Sequence, residues 1–386
     1  MADRQRNENE SSRTRRRRAL RIVAVIGIFA VIALLPYASD HVRAAAILAR
    51  AAGVNAWFTR FYDAPITITP SPITTPRGVI AARLYRPMNV RSAPAIVLAH
   101  GVQYMGIDDD RLDRLASELA RGGFVVLTPE IASLAQYEVT RAAVDDLEAA
   151  VNHLAQQPFI NGTRVAILGA SFAGGIALLA ASEPSVHSRI SCIVSVGGHH
   201  SIEEVARDLV APARPGVAHE AHVYGLQVFV YAYASEFVPA EDAPLAREAI
   251  RTFLHGDLAR AESLRQSLPP APRDFVGAVF RGDRDVLAPR FAEVLPRLRP
   301  RLAALSPAGH LAALRDIPVV LIHGRDDAVI PASESIAAAN ELAPSRHAVL
   351  VVTNAIDHVH RGNGGAREQW RVVHAFAEAI AAMRSN

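Results

Sequence analysis

The chain has 386 residues, 50% of them hydrophobic and 20% charged, enough for one large domain with an insertion or for two domains. Its net charge of +3 is unevenly placed: the first 21 residues carry eight arginines against three acids, so the remainder is slightly acidic and gives nucleic acid no electrostatic footing. Every base counted as Lys+Arg is arginine, which excludes a P-loop, a pyridoxal Schiff base and a Ser-Lys dyad, and the single Cys192 excludes an intrachain disulfide and a thiolate zinc cluster. Cys192 sits in an apolar run and reads as a small core residue.

Residues 1–18 are polar and arginine-rich, the composition of a disordered tail. Residues 19–38 hold one charge, Arg21, close to the N-terminal end. About 20 such residues can span a bilayer, so a transmembrane signal anchor is expected here, with a cleaved signal or a buried or interfacial helix as alternatives. The upstream arginines place the N-terminus in the cytoplasm, which predicts a single-pass membrane protein with its main domain outside. Residues 39–65 read as an amphipathic linker helix, lying along the membrane or packing on the domain: Val42, Ile47, Leu48, Val54, Trp57, Phe58 and Phe61 alternate with Arg43, Arg50 and Arg60.

From Ile66 to Tyr85, alternating stretches around Pro70-Ser71-Pro72 and Arg77-Gly78 suggest antiparallel edge strands. Strand–helix alternation then begins, the mark of a parallel sheet with crossover helices. Strands are expected at Ala95–Ala99, Phe124–Leu127, Val165–Leu168, Ile190–Val196, Ile317–Ile322 and Ala348–Val352. Helices are expected at Asp109–Arg121, Thr140–Gln157 and about Ala366–Met383. Alternation stops between Gly198 and Asp316, a span too long for a connector. Helical periodicity at Leu245–Leu254, Leu258–Leu268 and Phe291–Leu305, interrupted by prolines, predicts a cap over residues 199–316. Tyr224, Phe229, Tyr231, Tyr233 and Phe237 make its first part aromatic. The cap divides an α/β core into 66–198 and 317–386 and covers the carboxyl edge of the sheet, where open α/β sheets bind ligands.

Four motifs carry chemistry. A-I-V-L-A-H-G-V, Ala95–Val102, runs a strand into His-Gly. T-R-V-A-I-L-G-A-S-F-A-G-G, Thr163–Gly175, sets Ser171 at a tight strand-to-helix turn, although Ala173 stands where the last glycine of G-x-S-x-G is expected. I-P-V-V-L-I-H-G-R-D-D-A-V-I-P, Ile317–Pro331, pairs a late strand with acids, and A-I-D-H-V-H, Ala355–His360, follows the last strand. With no lysine available, a histidine is the most plausible base for a serine nucleophile.

In this order, Ser…Asp…His, the motifs resemble the α/β-hydrolase superfamily over about Ile66–Met383. The resemblance implies an α/β-hydrolase fold, a mostly parallel central sheet with crossover helices and an inserted helical cap. It implies a serine hydrolase working without cofactor, with Ser171 as nucleophile, His358 as base, Asp327 as acid, and the backbone N–H groups of Val102 and Phe172 as oxyanion hole. Asp326 is the alternative acid and His360 the alternative base. Asp283 and Asp285, after Val276–Phe280, imitate the acid loop, and His310 imitates the base. His100 and His323 read as structural hydrogen-bonding residues, and His199-His200 as pocket-bordering residues without metal-ligand spacing. The expected partner is a small, hydrophobic acyl substrate, with ester or thioester cleavage first. A peptidase or acyltransferase of the same fold, or a non-catalytic domain binding lipid or a partner, are the alternatives.

Overall fold

The computed structural model describes residues 35–88, 90–211, 219–343, 347–358 and 360–385. Helix α1, over residues 35–51, comes first. Four strands follow: β1 (Ile66–Pro70), β2 (Ile73–Thr75), β3 (Gly78–Ile80) and β4 (Ala82–Pro87). The alternating part of the chain then gives β5 (Ala93–Ala99), α2 (Asp110–Arg121), β6 (Val125–Pro129), α3 (Ala132–Ala135), α4 (Arg141–Ala155), β7 (Ile160–Ala170), α5 (Phe172–Ser182) and β8 (Ile190–Val196). Among the described residues, seven α-helices stand between β8 and the next strand: α6 (Ile202–Leu209), α7 (His219–Ala232), α8 (Ala234–Phe237), α9 (Ala243–Leu254), α10 (Leu258–Gln266), α11 (Pro270–Arg281) and α12 (Arg284–Ala303). The chain closes with β9 (Val319–Gly324), α13 (Ser333–Leu342), β10 (Ala348–Thr353), the short hairpin β11 (Ile356–Asp357) and β12 (His360–Arg361), and α14 (Ala366–Arg384).

Eight strands form one sheet in the order β1-β4-β6-β5-β7-β8-β9-β10. β4 runs antiparallel to both β1 and β6, and the remaining pairs are parallel. The central strands are buried on both faces, so they read as unbroken apolar runs rather than alternating ones, whereas edge strand β1 is mostly exposed. After β5 the chain crosses to β6 on one side and then returns to β7 on the other. The loops leaving β5 and β7 therefore face each other across the point where the winding reverses, the crevice in which doubly wound sheets hold ligands. Val102 and Ser171 lie on those two loops.

The expected single-pass membrane protein with an extracytoplasmic domain is corrected: among the described residues, no helix is long and apolar enough to cross a membrane. Residues 1–34, and with them residues 19–34 of the expected span, lie outside the described residues. Residues 35–38 open α1, and α1 is apolar on one side only. Ala44, Ala46 and Ile47 are buried, while Arg384 pairs with Asp40 and Arg50 with Glu118. His41 Nε2 lies 2.9 Å from His374 Nδ1 on α14, which docks the two ends of the domain together. The amphipathic stretch is also not one helix: α1 ends at residue 51, Gly53 takes a left-handed φ of 72°, and Trp57–Tyr62 forms a separate 3₁₀ turn.

The inserted helices share one apolar core with the sheet domain. α12 runs unbroken through Pro289, Pro296 and Pro300, where the sequence suggested breaks. An interior proline costs about 3 kcal/mol. Leu287, Phe291, Val294, Leu295, Leu298 and Leu302 are all buried along one stripe, and at about 1.5–3 kcal/mol each they outweigh it. Val276–Phe280, strand-like in sequence, belongs to α11, so Asp283 and Asp285 begin a helix and not an acid loop.

Candidate active site

Ser171 stands between the last residue of β7 and the first of α5 with φ 57° and ψ −140°, a conformation rare for a residue with a side chain. Such strain, on the order of 1–3 kcal/mol, persists only where the surroundings enforce it. Here they do, through close approach. A Cβ on Gly169 would lie 2.3 Å from Ala173 O, so the strand can only enter this turn as glycine. The missing last glycine of the motif is explained one turn on. Gly174 and Gly175 are the residues that admit a neighbour, since a Cβ there would fall 2.5 Å from Ser195 Oγ and 2.3 Å from the His199 ring, whereas Ala173 is buried without difficulty.

A carboxylate from the loop after β9 reaches the serine through His358. Asp327 is completely buried, and its Oδ1 accepts from the N–H groups of Val329 (2.9 Å) and Ile330 (3.0 Å). Its Oδ2 accepts from His358 Nδ1 at 2.7 Å, and His358 Nε2 lies 3.0 Å from Ser171 Oγ. Because Nδ1 holds its proton against a carboxylate, Nε2 is the lone-pair nitrogen that faces the hydroxyl. Burial alone would raise the Asp327 carboxyl, but hydrogen bonds and charge from His323 and His358 outweigh it and hold it well below the usual carboxylate range. His358 has φ 39°, a second strained backbone in the site. Gly197, at φ 60°, leaves room for the pair, since a Cβ there would sit 3.3 Å from Asp327 Oδ2.

Asp326 is exposed, as are Asp285 and His310, while His360 lies on β12 beyond the turn. His100 is buried, donates from Nδ1 to Gly101 O (2.9 Å) and accepts the Ile131 N–H at Nε2 (3.0 Å), a structural role. Phe172 opens α5, so its N–H belongs to the helix-terminal donors that have no intrahelical acceptor. Val102 is buried on the loop after β5, where Gly101 abuts Ser171: a Cβ on Gly101 would be 3.4 Å from Ser171 Cβ. Glu130 holds this loop by accepting the Ile107 N–H at 2.9 Å.

Two further contacts brace the site. His323 is fully buried and braces the acid loop: its Nε2 donates to Ile330 O (2.9 Å) and lies 3.4 Å from Asp327 Oδ2, while Nδ1 is 2.6 Å from Ser335 Oγ. Only the spacing H-G-x-x-D points to it. Tyr224, from cap helix α7, donates its hydroxyl to Val102 O at 3.1 Å. Of the other cap aromatics, Phe229, Tyr233 and Phe237 pack among themselves and against Phe291, inside the cap.

His200 Nε2 is 2.8 Å from Glu341, and among the described residues no group of three or more His, Cys, Asp or Glu could hold a metal. His199 is buried behind α5 and donates from Nε2 to Leu305 O (3.1 Å). Burial, only partly opposed by that bond, pushes its pKa down to about 4 from 6.5. Between these values the unfolded chain binds the extra proton, so stability is full above about pH 6.5 and falls as pH drops toward 4. The loss expected by pH 5 is about 2 kcal/mol. Urea unfolding at pH 7 and pH 5 checks this: His199→Gln should flatten the difference, and an unchanged pH slope would refute it.

A buried carboxylate, an imidazole and a strained serine in hydrogen-bond sequence, at the winding reversal of a sheet with this strand order, define a class. The chain has the α/β-hydrolase fold. A model of the dienelactone hydrolase family matches residues 80–252. A curated relative, the probable 2-oxo-3-(5-oxofuran-2-ylidene)propanoate lactonase of Bradyrhizobium sp, is 32% identical over 149 residues, 35% of this chain and 56% of the relative, so the match spans about half of that protein. Among solved structures, 2,6-dihydroxy-pseudo-oxynicotine hydrolase aligns with a TM-score of 0.48 at 15% identity, over 81% of this chain and 68% of the other. A putative dienelactone hydrolase from Klebsiella pneumoniae subsp. pneumoniae aligns with a TM-score of 0.44 at 14% identity, over 83% of this chain and all of the other. The proteins matched here are named as hydrolases or as a lactonase.

Proposed function

We propose that the protein hydrolyses carboxylic esters, cyclic ones included, through an acyl-enzyme on Ser171. The observation that carries this reading is the continuous sequence of contacts Ser171 Oγ–His358 Nε2 (3.0 Å) and His358 Nδ1–Asp327 Oδ2 (2.7 Å). Nε2 takes the Ser171 proton as Oγ attacks the carbonyl carbon, and Asp327 stabilises the imidazolium that results. The tetrahedral oxyanion is received by the N–H groups of Phe172 and Val102, each such donor being worth about 3 kcal/mol. Collapse expels the alcohol, which takes the proton from His358. Water, deprotonated by the same nitrogen, then releases the acid and regenerates Ser171.

The similarity to a lactonase and to the dienelactone hydrolase model favours an ester over an amide, because a lactone is an intramolecular ester. Hydrolysis of phenyl acetate, δ-valerolactone and acetanilide by the purified chain tests the reading. The ester and the lactone are expected to turn over at least about a hundredfold faster than the anilide, a difference of about 2.7 kcal/mol in barrier. Turnover of the anilide alone would assign a peptidase instead.

A further inference from the structure

A groove of about 870 Å³ lies between the core and the inserted helices, beside the loop that leaves β5. Three separate parts of the chain bring rings to it. Tyr104 comes from the β5 loop, Tyr137 from the segment after α3, and Tyr231 and His255 from the inserted helices. His255 stands between two of them, with ring centroids 4.8 Å from Tyr104 and 5.9 Å from Tyr137, and Tyr137 meets Tyr231 edge-on at 6.0 Å. Arg247 covers the Tyr231 ring at 4.4 Å.

Tyr137 is held at φ 62° while nearly fully buried, a conformation that an aromatic residue rarely adopts. Its ring is thus fixed in place by the surrounding structure, and sites where such strain is retained tend to be functional. Tyr104, by contrast, is 56% exposed although its ring is set against His255, so a flat face remains open to a ligand. The charges on the groove cancel in pairs, Arg247 with Glu138 and Arg251 with Glu248, so neither a carboxylate nor an ammonium group is favoured.

The groove adjoins the loop that carries Val102, since Tyr104 is two residues further on, and one face of α7 meets both. Tyr224 and Tyr231 are seven residues apart on α7 and so project from the same side. The first donates to Val102 O and the second lines the groove. Seven residues of α-helix span about 10 Å.

We propose that this groove is the subsite for an uncharged aromatic group that the substrate carries remote from its scissile carbonyl. The proposal rests on the ester-hydrolase reading above and names its substrate class: esters whose acyl part ends in an aryl ring. Ring-on-ring contact with Tyr104 and His255, the two exposed rings of the groove, distinguishes that ring from a saturated ring of the same size, and remote binding of this kind is what a substrate can use to lower the barrier at the reacting carbon.

The test compares methyl phenylhexanoate with methyl cyclohexylhexanoate, the ring in each on the terminal carbon. The wild-type chain is expected to favour the phenyl ester in kcat/KM by about tenfold, and His255→Leu and Tyr104→Leu are each expected to bring the ratio close to one. Calorimetry on Ser171→Ala protein, whose groove is intact, should show the same preference in Kd. Equal treatment of the two esters by the wild type, or a preference that survives both substitutions, would overturn the subsite. If neither ester is hydrolysed but the phenyl ester still binds Ser171→Ala protein more tightly, the subsite stands and the ester-hydrolase reading falls. If neither is hydrolysed and both bind alike, both fall.

Discussion

Replacing Asp327 with asparagine is expected to lower kcat for ester hydrolysis by about 10⁴ while leaving the fold intact. The reason lies in the hydrogen bonds of the acid loop. One oxygen of Asp327 is occupied by the Val329 and Ile330 N–H groups, so the other must serve His358. An asparagine would keep its carbonyl oxygen on the two backbone donors and turn its NH₂ toward His358. The ring would then accept at Nδ1 and carry its proton on Nε2, facing Ser171 with a donor where an acceptor is needed. Asp326→Asn is the control. Asp326 is exposed, and substitution there should change kcat less than about threefold, as for surface changes worth within about 0.5 kcal/mol. Steady-state kinetics of the two variants decide the matter, and equal losses would mean that Asp327 has no special part.

Substituting Ser171 has the larger effect on rate, and the choice of replacement changes stability separately. Both Ser171→Ala and Ser171→Gly are expected to lose on the order of 10⁶ in kcat, since no nucleophile remains at the end of the relay. They should differ in folding. Alanine inherits the φ of 57°, whereas glycine adopts it freely, so Ser171→Gly should be more stable than Ser171→Ala by about 1 kcal/mol after its own backbone entropy is subtracted. Urea unfolding of the two proteins measures this. A glycine variant less stable than the alanine variant would show that the elbow is not strained.

Much of the scaffold is readable from residue order. Val165–Leu168 and Ile190–Val196 are apolar runs of strand length between turn signals, and they are β7 and β8. The motif positions of Ser171, Asp327 and His358, after β7, β9 and β10 respectively, follow from the same alternation. What escaped depends on tertiary contact. The residues after the apolar N-terminal run form α1, which docks by a histidine pair separated by 333 residues, and no local pattern announces that. α12 ignores its prolines because its apolar stripe is buried along its length. Val276–Phe280 has strand composition but completes α11, ended by Gly282 at a left-handed φ of 63°. The aromatic first part of the insertion divides on folding: Tyr224 and Tyr231 turn toward the β5 loop and the groove, while Phe229, Tyr233 and Phe237 make the insertion's own core. The groove's remaining rings, Tyr104, Tyr137 and His255, come from segments far apart in the chain, joined only by folding.

The central claim is that Ser171 is an activated nucleophile. It is tested most directly by treating the chain with a fluorophosphonate and locating the adduct by peptide mass spectrometry. The account predicts one phosphonylated residue, Ser171, with labelling absent in Ser171→Ala and lost in His358→Ala but retained in His360→Ala. A folded wild-type protein that takes no label at Ser171, or a label on another serine, would contradict it.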